Sequence, residues 1–268
     1  MGARALVVLA LFGGILVLGG PVSGAMIYMT AATDEAPAVA TVAALFESMG
    51  ATVTVGVKPA DFDGTVDLTG YDAVVLNVGC RLLPPVLPSL GEDNLKAFVE
   101  DGGGLVTAEW LIWTAASVNS TLYTVLPATK GSTVAIPPAQ TYVPVTPDPI
   151  INAGLLDGGG VPRNVVFTAT DKSNHAGTRL GAKAGATVFY DGSPSGGGLV
   201  GWEVGDHGGK VISFNCLIGN TTVESEDFQT LLVNATNWVL PEGVAMPEPG
   251  TLSLLALAGV GVLLRRKR

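Results

Sequence analysis

Glu109 is the carboxylate best placed to do chemistry. It follows the apolar run 105–108, which reads as a strand after the glycines at 102–104, and open α/β sheets place their ligand crevice at the carboxyl ends of central strands. Two uses of Glu109 stay open, a crevice carboxylate or a helix N-terminal acid favoured by the macrodipole. Cys80 follows the apolar run 71–78 and Cys216 follows the run 210–215, so both thiols fall after strand ends that a sheet can bring to one edge. In an oxidising compartment they could pair, which would stabilise by about 4 to 5 kcal/mol in the chain-entropy model, or remain two buried thiols. No motif puts His175 or His207 beside Cys80, so no thiolate–imidazole couple is read and no catalytic residue is assigned.

The remaining signals are weaker. Asp61, Asp63, Gly64 and Asp67 space oxygen ligands as a calcium loop does, but the closing Glu is missing, and a solvated connection between strands accounts for them better. There is no Cys-x-x-Cys, no histidine cluster and no Gly-x-Ser-x-Gly elbow, and the glycines at 158–160 and 196–198 lack the Lys and Ser/Thr of a phosphate loop. No metal and no cofactor are therefore expected. Trp110, Trp113, Trp202 and Trp238 could stack on sugar rings, although periodicity favours core roles for Trp202 and Trp238.

Composition narrows the classes. The 268 residues hold 14 Lys+Arg against 23 Asp+Glu, 48% are hydrophobic and 14% charged, which argues against a nucleic-acid partner and for a compact core. Residues 26–247 retain nine cations against 22 acids, so this body would hold an anionic polysaccharide only through a divalent cation or uncharged contacts.

The elements that must position these residues alternate. Residues 26–30, 51–57, 71–78 and 105–108 read as strands, and 37–49 and 90–101 as helices with apolar faces. Gly50 closes the first helix and the glycines at 102–104 the second. Residues 110–126 read as a further helix, and 128–149, rich in Pro and Thr, as an excursion with short extended pieces. Strands follow at 164–170, 186–190, 198–204 and 210–215, then a closing helix over 225–240. The expected fold is α/β, an open, mostly parallel sheet flanked by helices over residues 26–241, followed by a linker at 242–246.

The two ends carry addresses. Residues 1–25 run from Arg4 through an apolar stretch to Ser23, Gly24 and Ala25, the grammar of a signal peptide cut before Met26, or of an uncleaved anchor. At the other end Pro247, Glu248 and Pro249 precede 15 uncharged residues, 250–264, and then Arg265, Arg266, Lys267 and Arg268. A helix over 250–264 would rise about 22 Å, short of the full hydrocarbon thickness but within reach of a thinned bilayer, and the basic cluster would stay cytoplasmic.

Residues 247–268 resemble the PEP-CTERM sorting signal of exopolysaccharide-producing bacteria. The resemblance implies that an exosortase recognises Pro247, Glu248 and Pro249. It also implies a C-terminal transmembrane helix in the inner membrane with the body on the periplasmic side, and a final place at the cell surface or outside the cell. Exosortase, the secretion machinery and exopolysaccharide are the partners this implies.

A second resemblance spans about 26–240. The strings FVEDGGGLVTAEW, DPIINAGL and GGKVISFNCLIGN resemble the class I glutamine amidotransferase-like superfamily, particularly its trehalose-utilisation-type branches, and this implies a flavodoxin-like sheet. Catalytic members carry a glycine-flanked cysteine on an elbow after the strand that follows the glycine run. Here that position reads Val106, Thr107, Ala108, Glu109, Trp110. Where the family shows Phe-His-Pro-Glu, this chain has Phe214, Asn215, Cys216 and Leu217, so Asn215 occupies the place of the base. The expectation is a domain without amidotransferase chemistry, acting as a binding or structural module. A hydrolase using carboxylates such as Glu109, and a receptor-like module for a small molecule, are the alternatives.

Overall fold

The computed structural model describes residues 24–32, 35–77, 87–108, 111–118, 120–135, 139–169, 176–192, 196–204 and 208–246. The chain opens with β1 (Met26–Met29), α1 (Ala36–Ser48), β2 (Thr52–Val55) and β3 (Ala73–Leu76). Pro37 sits in the first turn of α1, where its missing N–H costs nothing. Gly50, at φ +83°, turns the chain out of that helix into β2. Next come α2 (Ser89–Glu100), β4 (Gly104–Thr107) and α3 (Leu111–Val118). The second half holds β5 (Ala128–Ala135), β6 (Ala139–Pro144), β7 (Val165–Thr168), β8 (Ala176–Ala182), β9 (Thr187–Asp191), β10 (Gly197–Val204), β11 (Gly209–Phe214) and α4 (Glu226–Val239).

Among the described residues these strands form one 11-stranded sheet in the order β2-β1-β3-β4-β11-β10-β9-β6-β7, with β5 and β8 as a side ribbon. The stretch from β2 to β11 is parallel throughout. Taken alone it has the 2-1-3-4-5 order of flavodoxin-like sheets, with β11 as the fifth strand. Its strands are buried on both faces, so their residues divide alternately between two cores. Ile27, Met29, Val75, Val106 and Ile212 pack toward α1 and α4, while Tyr28, Val74, Leu76, Leu105 and Val211 pack toward α2.

The expectation of a mostly parallel sheet is corrected to a mixed one. Six strands, β5 to β10, intervene between β4 and β11, and every pairing that involves them is antiparallel. β8 went unread because AGTRLGA shows neither an apolar run nor clean alternation. The helix expected over 110–126 divides into α3 and a 3-10 turn at Thr121–Val125. Ser120 precedes the turn and its hydroxyl donates to Glu92 Oε2 at 2.6 Å.

Residues 242–246 fold back onto the body. Gly243 turns at φ +84°, Val244 N donates to Pro241 O at 3.1 Å, and Met246 N donates to Asn237 Oδ1 at 2.9 Å. The Met246 side chain is 2% exposed, in the core that also holds Ala25. No helix among the described residues is long and apolar enough to cross a membrane. The helix expected over 250–264 lies outside the described residues, as do residues 1–23.

Candidate functional site

In a 2-1-3-4-5 sheet the crevice opens at the carboxyl ends of β1 and β3, where the chain connections diverge. Thr30 follows β1 and Asn77 follows β3, each replacing an apolar residue at the point where the strand leaves the core; they are 0% and 2% exposed. Thr30 Oγ1 donates to Asn77 O at 2.9 Å and accepts from Asn77 N at 3.0 Å. The Asn77 carboxamide donates to Ile218 O at 2.8 Å, which ties β3 to the segment after β11. From there Asn220 Oδ1 accepts from Ala38 N at 2.9 Å, satisfying a free amide in the first turn of α1. Asn220 N in turn donates to the buried Glu35 carboxylate at 2.8 Å.

Asn215 and Cys216 lie at the same ends of the sheet, beyond β11, and are 6% and 2% exposed. The phenol of Tyr142, on β6, donates to Asn215 Oδ1 at 2.6 Å and lies 3.3 Å from Cys216 Sγ. Asn215 N donates to Gly198 O at 2.9 Å. A Cβ on Gly192 would come within 2.6 Å of Asn215 Nδ2, so the backbone after β9 closes over this side chain. Tyr142 is itself fixed by edge-on contact with Phe167 at 4.9 Å. A carboxamide has no basic lone pair near neutral pH, and this one is held by a buried phenol, so Asn215 organises structure here and cannot accept a proton.

Glu109 and Cys80 lie outside the described residues, as do Trp110, His175, His207, Pro247, Glu248, Pro249, Arg265, Arg266, Lys267 and Arg268. Asn215 and Cys216 are thus the placed members of the expected set, brought together with Tyr142. Tyr142 was missed because it sits in the Pro- and Thr-rich excursion. Thr30 and Asn77 did leave a signal, as polar residues at or next to the ends of apolar runs.

The acidic loop between β2 and β3 serves its own turns. Asp63 Oδ1 accepts from Thr65 N at 3.1 Å and Thr65 Oγ1 at 2.6 Å, and Asp67 Oδ1 accepts from Thr69 N at 2.8 Å. These bonds hold both carboxyls below the usual range. Burial pushes the Glu92 carboxyl up against the opposing bond from Ser120, and pushes the Tyr190 phenol up as well. Trp202 Nε1 donates to Val125 O at 2.8 Å, and Trp238 packs edge-on to Phe189 at 5.2 Å. Lys183 lies over the rings of Tyr123 and Trp202 at 4.0 and 5.3 Å, and burial lowers its pKa. A groove of about 930 Å³ opens at the other end of the strands, lined among others by Asp67, Tyr71, Asn94, Phe98, Asp101 and Glu242.

Residues 247–268 match the PEP-CTERM protein-sorting motif. No curated protein matches the chain. Among solved structures it is similar to a ThuA-like protein from Bacteroides uniformis, at 14% identity and a TM-score of 0.55, over 81% of this chain and 90% of that one. A glutamine amidotransferase from Thermotoga maritima aligns at 8% identity and a TM-score of 0.50, over 72% and 76% of the two chains. A carbohydrate deacetylase aligns at 11% identity and a TM-score of 0.51, over 80% of this chain but 32% of that one. At such identities the likeness is one of fold. The sorting motif implies exosortase-dependent export.

Proposed function

We propose that this is an exported, exosortase-processed protein of the cell surface or extracellular matrix, whose amidotransferase-like domain binds or builds without catalysing. The sorting motif at 247–268 carries the export half of this reading, and the state of Asn215 supports the non-catalytic half. The residue in the place of the family's base is a buried carboxamide locked to Tyr142 at 2.6 Å, and the elbow sequence 106–110 offers no cysteine. Both halves of a cysteine–histidine couple are then lacking, and oxyanion donors alone have no nucleophile to serve. In this reading the tail holds the protein in the inner membrane with its body on the periplasmic side until the exosortase acts, and exopolysaccharide is a partner it meets afterwards.

The test is intact-mass analysis of the protein recovered from cell surface and medium, with and without the exosortase. Loss of the RRKR terminus only when the enzyme is present is the expected result, together with no ammonia release from glutamine. Intact termini in exosortase-positive cells, or glutamine turnover, would overturn it. The hydrolase alternative asks for a second acid near Glu109. At this edge the Glu35 carboxylate is engaged with the backbone of Asn220; hydrolytic activity in the unaltered chain that is lost in Glu109→Gln would establish that alternative, and no activity in the unaltered chain would remove it.

A further inference from the structure

The chain enters and leaves the described domain at the same place. Ala25, directly before β1, is fully buried, and its carbonyl accepts from Thr52 N at 2.8 Å. Met26 N donates to Asp72 Oδ2 at 2.7 Å, beside the start of β3. The entry point is therefore the amino-terminal edge of the parallel strands. α4 runs back antiparallel to those strands, since its last carbonyl, Val239 O, lies 2.5 Å from where a Cβ on Gly104 would stand, at the start of β4. The fold-back of 242–246 then keeps the chain at this edge and buries Met246 in the core shared with Ala25.

Only Pro247, Glu248 and Pro249 separate the buried Met246 from the apolar run that begins at Gly250. Fully extended, those steps reach about 14 Å. A domain of this size has a radius of gyration of about 17 Å, so the tether is too short for the body to swing its far side down. We infer that the amino-terminal edge of the sheet is the surface this protein turns toward the membrane, and that the carboxyl-end residues around Asn77 and Asn215 face away from it. The inference rests on the anchoring role proposed above for the tail.

The chemistry of the edge says how it meets the lipid. Asp67, Asp101 and Glu242 are exposed carboxylates there, and Lys210 is engaged by Glu203 at 3.3 Å. Anionic headgroups gain nothing from such a surface. The tail alone holds the body, and cutting it frees the body.

The helix α2 supplies a ruler, because Asp101 follows its end at the membrane-facing edge and Leu90, 67% exposed, lies in its first turn at the far edge. These positions are about 17 Å apart along the axis. The full chain would be reconstituted in phosphatidylethanolamine–phosphatidylglycerol vesicles containing headgroup-nitroxide lipid, with a fluorescent amino acid at position 101 or 90. Flotation with the vesicles and several-fold stronger quenching at 101 are expected, and a flexible spacer of about 15 residues inserted after Met246 should bring the two signals together. Equal quenching, stronger quenching at 90, or indifference to the spacer would overturn the orientation. A chain that fails to float would overturn the anchoring itself.

Discussion

Beside the groove at their amino end, the parallel strands are sealed by one means, and at their carboxyl end by another. At the amino end the seal is made of missing side chains. A Cβ on Gly209 would come within 1.8 Å of Val99 O, the carbonyl near the end of α2, and one on Gly104 within 2.5 Å of Val239 O, at the end of α4. Helix ends thus press directly onto strand starts. At the carboxyl end the seal is made of polar side chains that pair across the chain, Thr30 with Asn77, Asn77 with Ile218 and Tyr142 with Asn215. The backbone seal has no room for variation, whereas the polar seal is a set of separable bonds.

If that contrast is right, the largest effect comes from the glycine seal. Gly209→Ala forces backbone against backbone and should cost about 3 kcal/mol or more, some 6–12 °C in Tm by calorimetry. A loss no larger than that of a surface substitution would break the comparison. Asn77→Ala removes the carboxamide's buried bond to the Ile218 carbonyl, and urea denaturation should show a loss of about 2–3 kcal/mol. Tyr142→Phe keeps the ring packing and removes the bond to Asn215, so about 1 kcal/mol is expected. The two losses should add within about 0.5 kcal/mol in the double mutant; a larger coupling would mean that the polar seal acts as one unit.

The smallest effect lies away from both ends. Arg163 donates to both Asp227 oxygens at 2.5 and 2.6 Å, with about a third of each side chain exposed. The guanidinium holds the Asp227 carboxyl below its usual range. A carboxyl whose folded pKa is depressed adds stability above its unfolded value, near pH 4, and loses it as the pH falls through the folded value. Asp227→Asn should therefore cost under about 1 kcal/mol at pH 7 in low salt. Repeating the melts in molar salt, or in acid below the folded pKa, should erase the difference; a cost that persists there would point to packing instead of charge.

The parallel half was legible residue by residue. The apolar runs at β1, β3 and β4 and the amphipathic faces of α1, α2 and α4 stand in the sequence where the structure puts them, within a residue or two at each end. In the inserted half β7, β9 and β10 were read within a residue or two, but β5 and β6 were read only as an excursion with short extended pieces and β8 was not read. β5 and β8 read as polar, Thr- and Gly-containing segments without the apolar alternation that marks a strand. Of the site, Asn215 was named but its partner was not, since Tyr142 lies 73 residues away in a stretch with no helical or strand signal strong enough to orient it.

The sequence by itself determined the export address and the helices and strands of the parallel half. These are local properties, set by residue type, period and spacing along a few turns or a few strand residues. Tertiary structure alone decided that β11 closes the flavodoxin-like order after a long antiparallel detour. It alone decided that Tyr142 reaches Asn215, that Asn220 joins Glu35 across 185 residues, and that Met246 is buried rather than loose. Such contacts depend on which surfaces exclude water together once the chain has closed, and no window of sequence short enough to show a period contains both partners.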